Sequence, residues 1–164
     1  MQKHLKIPSE VMEIIKTLCG AGFECFLVGG CVRDFVLGAP YKDLDLTTNA
    51  TPSEVEKVLK SYKIIETGLK HGTVTVIVNS LPIEITTYRI DGKYDDFRHP
   101  NEVTFTRSLI DDLKRRDFTI NALAYDGEKI VDEFNGIEDI KNKIIRCVGD
   151  PVERFKEDPH WKTC

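Results

Sequence analysis

The segment FLVGGCVRDFVLGAPYKDLDLTT, residues 26–48, constrains this chain more than any other. An apolar run that reads as a buried strand meets Gly29 and Gly30. These open a short helix that carries Arg33 and Asp34 and ends at Gly38 and Pro40. Glycine lets a backbone come close to a ligand, and the free N–H groups of a helix N-terminus favour phosphate. Arg33 adds a forked cation suited to phosphate oxygens. The alternation in LDLTT then predicts a second strand, with Asp43 and Asp45 on one face and Leu44 and Leu46 on the other. At i and i+2 the two acids have Cα atoms roughly 6–7 Å apart. Carboxylates so placed repel unless a cation sits between them. Mg²⁺ is commonly held by one or two carboxylates together with substrate phosphates. A lone Gly-Gly is more often a turn than a phosphate cradle, and a lone D-x-D more often a solvated strand edge. Their succession within one segment points to a nucleotide site.

The flanking sequence predicts where this segment sits. A helix capped by Ser9 carries Val11, Ile14, Ile15 and Leu18 on one face and stops at Gly20 and Gly22. TPSEVEKVLK opens another, with Thr51 as N-cap, Pro52 at the first helical position and Glu54 closing a capping box. TVTVIVN (73–79) and PIEITTYRI (82–90) read as a hairpin. DGKYDDFRHPNE (91–102) reads as a loop and residues 103–106 as a short strand. Ser108 caps a helix over LIDDLKRRD that FTINALAYD continues. IEDIKNKIIRCVGDPVERFKED suggests a helix, a short strand and the start of a further helix. The pattern predicts a mixed α/β (α+β) fold, a small mixed sheet flanked by helices.

A chain of 164 residues suits one domain with its own core. With 41% apolar and 30% charged residues it does not read as disordered. The formal charge of −4 predicts weak non-specific binding to nucleic acid by this chain alone, despite the basic LKRRD. The five cysteines form no C-x-x-C and are odd in number, which favours reduced thiols over a disulfide framework or a zinc site. No signal peptide and no apolar run near the ~20 residues of a membrane span are visible, so a cytoplasmic protein without a membrane partner is expected. No G-x-x-x-x-G-K-[ST] occurs, which argues against a Walker-type ATPase.

LVGGCVRDFVLGAPYKDLDLTTNATPSEV closely resembles the signature of the class II tRNA nucleotidyltransferases, the CCA-adding enzymes, and of their bacterial poly(A) polymerase relatives. Both belong to the DNA polymerase β-like nucleotidyltransferase superfamily. The resemblance continues in KHGTVTV, EITTYRIDGKYDDFRHPNEVTF and RRDFTINALAYD, and so covers most of the chain. It implies a polymerase β-like catalytic head that transfers CMP and AMP from CTP and ATP to the tRNA 3′ end. The transfer would be an in-line attack on the α-phosphorus at a two-metal Mg²⁺ site. Carried over residue by residue, Asp43 and Asp45 would hold metal, with Glu84 as a third acid or an ordinary strand residue. Gly29, Gly30 and Arg33 would face the triphosphate, and Arg116 and Asp117 would contact the nucleotide and its ribose. Lys70, Arg98 and Arg107 are weaker phosphate candidates, and His71 reads as structural.

The resemblance departs from the family at the C-terminal end. Family members run to several hundred residues, with helical regions after the head. The base-reading motif E-D-x-x-R is represented by Glu157 and Asp158, but Trp161 stands in place of the arginine. The expected division is a nucleotidyltransferase head at 1–148 and the start of a truncated neck helix at 149–164, with Asp158 as a base contact. The isolated chain is then expected to be poorly active alone, adding nucleotides to tRNA poorly or not at all for want of the regions that grip tRNA, and to discriminate bases poorly, because one bidentate base contact is worth roughly 1–3 kcal/mol. The other readings are the head of an A-adding enzyme or poly(A) polymerase, and a catalytically silent nucleotide-binding module.

Overall fold

A computed structural model describes residues 7–40, 43–68, 71–91, 94–96, 99–100 and 103–149. The helices are α1 (Ser9–Gly20), α2 (Gly30–Leu37), α3 (Pro52–Val58), α4 (Leu109–Lys114) and α5 (Gly136–Lys141). The strands are β1 (Cys25–Val28), β2 (Asp45–Thr48), β3 (Lys63–Gly68), β4 (Thr73–Val78), β5 (Leu81–Thr87) and β6 (Arg89–Asp91). They continue with β7 (Tyr94–Asp96), β8 (His99–Pro100), β9 (Val103–Phe105), β10 (Ala124–Tyr125) and β11 (Ile130–Val131). The mixed α/β fold expected from the sequence is present.

Seven strands form the main sheet in the order β11-β10-β1-β2-β5-β4-β3. Its pairings are antiparallel except that β2 runs parallel to β5, the connection passing through α3, β3 and β4. The pleat sorts the side chains into two faces. Leu27, Leu46, Ile85 and Val74 are aligned across β1, β2, β5 and β4. They form a core with Val11, Ile14, Ile15 and Leu18 of α1 and Val55 of α3. The opposite face carries the row Val28, Asp45, Glu84 and Thr75, and beside it Phe26, Thr47, Thr86 and Thr73. A largely polar row across the middle of a sheet is unusual unless something binds there, and α4 with the turn after it covers only part of this face.

The local signals that formed as expected are those with a chemical cap. Thr51 accepts a hydrogen bond from the Glu54 N–H at 3.3 Å, and Glu54 accepts from the Thr51 N–H at 2.8 Å, closing the capping box. Ser108 accepts from the Asp111 N–H at 3.3 Å. The hairpin β4–β5 turns through Asn79 and Ser80, both at positive φ (50° and 66°), as a two-residue turn matched to strand twist requires.

Five expectations are corrected. Helix α1 is flanked by Pro8 rather than capped by Ser9, whose hydroxyl instead donates to Glu10. Strand β2 begins at Asp45, so Asp43 lies just ahead of it and not on the alternating strand. FTINALAYD does not continue α4. Asp117 accepts from the Phe118 N–H at 2.7 Å, a 3-10 turn follows at Thr119–Asn121, and Ala124–Tyr125 pairs with β1 as β10. Residues 91–102 are not wholly loop, since β6 pairs with β9 and β7 with β8. Finally, Cys19, Cys25 and Cys31 are free thiols, but Cys147 is disulfide-bonded, against the expectation of reduced thiols throughout. Lys70, Arg98, Glu157, Asp158 and Trp161, with the proposed neck segment beyond residue 149, lie outside the described residues.

Candidate active site

Asp45 opens β2 and Glu84 stands in the middle of β5, paired with it in register across the parallel ladder. The ladder reaches one residue further back, because the Glu84 N–H donates to the Leu44 carbonyl at 3.1 Å. The two carboxyl groups therefore emerge side by side on the polar face. Burial, a hydrogen bond to Glu84 and the charge of Glu84 together push the Asp45 carboxyl up to about 7. Arg116 opposes this shift and Asp43 adds to it. Exposed Asp43 is thus near enough to act on Asp45 electrostatically although it precedes the strand.

These acids open onto a cavity of about 370 Å³ whose lining includes Asp45, Glu84, His71, Arg89, Arg115 and Arg116. Gly29 forms the turn between β1 and α2 with φ +81° and ψ −152°, a conformation that glycine adopts and L-residues avoid. A Cβ there would lie 3.8 Å from Arg116 Nη1, so the guanidinium rests over the turn. Arg33 folds back on Gly30, where a Cβ would come 3.2 Å from its Nη2.

A second chain of polar contacts joins the glycine turn to RRDFT. Arg33 Nη1 donates to Asn121 Oδ1 at 2.8 Å, and Asn121 Nδ2 donates to Asp117 Oδ1 at 3.2 Å. The same Asp117 oxygen accepts from the Phe118 N–H. Arg33, Asp117 and Asn121 are thereby locked together, with Asn121 using both ends of its amide. Sequence reasoning did not single out Asn121. Its spacing of four from Asp117 was the available signal.

Asp112 is the other residue that sequence reasoning passed over. It is fully buried and accepts from Thr47 Oγ1 (3.3 Å), the Arg89 N–H (3.1 Å), Arg115 Nε (3.3 Å) and Arg116 Nη2 (3.1 Å). The i, i+3 and i, i+4 spacing to the two arginines could have exposed the ion pairs. The contacts to β2 and β6 are tertiary and could not be read from the sequence. Burial lowers the Arg116 guanidinium from its ordinary value, and Asp112 offsets that.

The remaining candidates separate from this group. His71 lines the cavity, and its carbonyl accepts from Arg89 Nη1 at 3.2 Å. Arg107 is engaged at α3, donating to the Asn49 carbonyl and standing 3.5 Å from Glu54. Among the described residues, no three His, Cys, Asp or Glu side chains are grouped to hold a metal ion. The adjacent carboxylates of Asp45 and Glu84 nevertheless offer the hard oxygen donors that Mg²⁺ takes.

A profile of the family described as "Poly A polymerase head domain" matches residues 25–146. The chain belongs to this family. The match takes in the glycine turn, Asp45, Glu84, the Asp112 cluster and Asn121. Among curated proteins, a CCA-adding enzyme of Lactobacillus helveticus (strain DPC 4571) is 53% identical over 150 residues, covering 91% of this chain and 37% of that protein. A CCA-adding enzyme of Enterococcus faecalis (strain ATCC 700802 / V583) is 49% identical over 156 residues, covering 93% and 38%. Among solved structures, the Bacillus stearothermophilus CCA-adding enzyme in complex with CTP superimposes with a TM-score of 0.81 at 42% identity, over 92% of this chain and 36% of that one. A tRNA nucleotidyltransferase complexed with a primer tRNA and an incoming ATP analog gives 0.66 at 31% identity, over 89% and 41%. The chain thus spans little more than a third of the length of the curated relatives it matches. No helix among the described residues is long and apolar enough to cross a membrane.

Proposed function

We propose that this chain is the nucleotidyl-transfer head of a cytoplasmic CCA-adding enzyme, binding CTP or ATP and transferring CMP or AMP to the 3′ end of tRNA. The observation that carries the reading is the pairing of Asp45 with Glu84 at a cavity that Arg89, Arg115 and Arg116 also line. An acid pair of this kind suits a cation, and the arginines suit the phosphates that accompany it. The relatives named CCA-adding enzyme and the neighbours solved with CTP, an ATP analog and tRNA support the choice of substrates.

Asp45 and Glu84, with Asp43 beside them, would hold Mg²⁺, which when bound offsets charge on the entering and leaving oxygens of the displaced phosphoryl group. The chain's own residues supply orientation. The Gly29–Gly30 turn would let backbone approach the triphosphate, Arg33 and Arg116 would present guanidinium groups to it, and Asp117, which accepts from Asn121, would accept from a ribose hydroxyl. Fixed charges aimed at a phosphoryl group stabilise its transition state without reorganisation.

Incubating the chain with radiolabelled CTP or ATP, Mg²⁺ and tRNA lacking its 3′ CCA tests the reading. Label should appear on tRNA slowly and with little preference between CTP and ATP, and be lost in Asp45→Ala. Incorporation from ATP alone would favour an A-adding or poly(A) polymerase head. No incorporation together with no nucleotide binding would overturn it.

A further inference from the structure

Asp112 is a charge with no exposed surface, and it sits where three parts of the site meet. Its Oδ2 accepts from Thr47 Oγ1 and Arg116 Nη2, and its Oδ1 from the Arg89 N–H and Arg115 Nε. Thr47 lies two residues beyond Asp45 on β2, and Arg89 opens β6. Both Arg115 and Arg116 line the cavity. Burying a carboxylate costs several kcal/mol unless it is paired and fully hydrogen-bonded, so this arrangement is a demanding one to keep for stability alone.

Arg115 and Arg116 line the same cavity as Asp45 and Glu84. An arginine freed from Asp112 would share this cavity with the Asp45 and Glu84 carboxylates, and an ion pair there would fill the place of a cation. We propose that Asp112 is a positioning residue that holds Arg115 and Arg116 on the phosphate side of the cavity and away from the Asp45–Glu84 pair. It keeps the acids open to metal and the guanidinium groups preset for triphosphate. This deepens the nucleotidyl-transfer reading and rests on it for the ligand, though the presetting itself is a property of the free protein. Each oxygen of Asp112 ties one arginine to one other element, β2 through Thr47 or β6 through the Arg89 N–H.

Two measurements on the full chain test this. In the first, Mn²⁺ and ATP·Mg²⁺ affinities are compared for the wild type, Asp112→Asn and Thr47→Val, with circular dichroism and thermal unfolding on the same samples. Thr47→Val removes one donor to Asp112 but leaves its charge, and serves as the structural control. Asp112→Asn should weaken Mn²⁺ and ATP·Mg²⁺ by about 10-fold or more. Thr47→Val should change both by less than about 3-fold for comparable loss of thermal stability. A folded Asp112→Asn with both affinities within about 2-fold of the wild type overturns the proposal.

In the second, the Arg Nε–H resonances of the wild-type protein are followed by NMR as ATP·Mg²⁺ is added. This needs no variant to fold. Arg115 Nε–H should be slow to exchange before nucleotide is present and remain so afterwards. Its appearance only after nucleotide is bound would show that the ligand, not Asp112, fixes the arginines, and would overturn the proposal. Protected arginines in a chain that binds no nucleotide would leave the presetting intact and sink the proposed ligand instead.

Discussion

Asp45 and Glu84 face the same cavity from neighbouring parallel strands, and burial with the Glu84 contact pushes the Asp45 carboxyl up to about 7. Because the folded value lies above the ordinary carboxylate value, the folded state takes up a proton that the unfolded chain releases. The associated stability is present below about pH 4 and is lost as pH rises through about 7. In a chelator, thermal stability should therefore fall across this window by on the order of 1–3 kcal/mol, after allowance for solvent screening at a partly exposed group. Asp45→Asn should flatten the decline. Added Mg²⁺ should raise the melting temperature at pH 7.5 and have little effect at pH 5, where protons compete for the pair. A wild-type profile as flat as that of Asp45→Asn would contradict the coupling.

The glycine turn yields a second prediction. Gly29→Ala places a Cβ on backbone at φ +81° and ψ −152°, a strain of roughly 1–3 kcal/mol, and directs it toward Arg116. Both unfolding free energy and ATP·Mg²⁺ affinity should fall, which denaturant unfolding and calorimetry would show. Gly20→Ala, where nothing lies within 4 Å of the new atom, should leave affinity unchanged.

Asn121 offers a third. Asn121→Ala breaks the link between Arg33 and Asp117 while leaving both side chains in place. Steady-state kinetics should show a raised KM for nucleotide, with stability reduced by about 1 kcal/mol for the lost hydrogen bonds. An unchanged KM would mean that Arg33 and Asp117 act independently.

Gly136 supports the same turn from behind, and gives a fourth. A Cβ there would stand 2.2 Å from the Thr119 carbonyl oxygen, so Gly136→Ala must displace backbone in the turn that carries Asn121. A loss of roughly 1–3 kcal/mol is expected by chemical denaturation, together with weaker nucleotide binding. Thermal stability equal to the wild type would show that the turn accommodates the methyl group.

These contacts also show what the sequence could and could not reveal. Asp45, Gly29, Gly30 and Arg33 stood out as candidates because one contiguous segment holds them, and the Thr51–Glu54 box was legible because a cap is a local device. Glu84 was visible only as an acid on a strand, since its parallel pairing with β2 is a tertiary fact. Edge strand β3 went unread because its side chains are mostly exposed and give little apolar alternation. The break after Arg116 was missed because Ala122, Leu123 and Ala124 look helical. Side-chain capture of the Phe118 N–H by Asp117 and the pairing of β10 with β1 override that propensity. Asp112 looked like one more acid in a charged helix, because two of its donors come from β2 and β6.

The central claim is that the Asp45–Glu84 face receives the metal-bound triphosphate of a nucleotide. Calorimetric titration of ATP and CTP into the full chain, with Mg²⁺ and again in excess chelator, tests it most directly when repeated on Asp45→Ala. The account predicts binding of both nucleotides that needs Mg²⁺ and is weakened by at least about 10-fold in Asp45→Ala. Equal affinity with and without Mg²⁺, or an Asp45→Ala protein that binds as the wild type does, would contradict it.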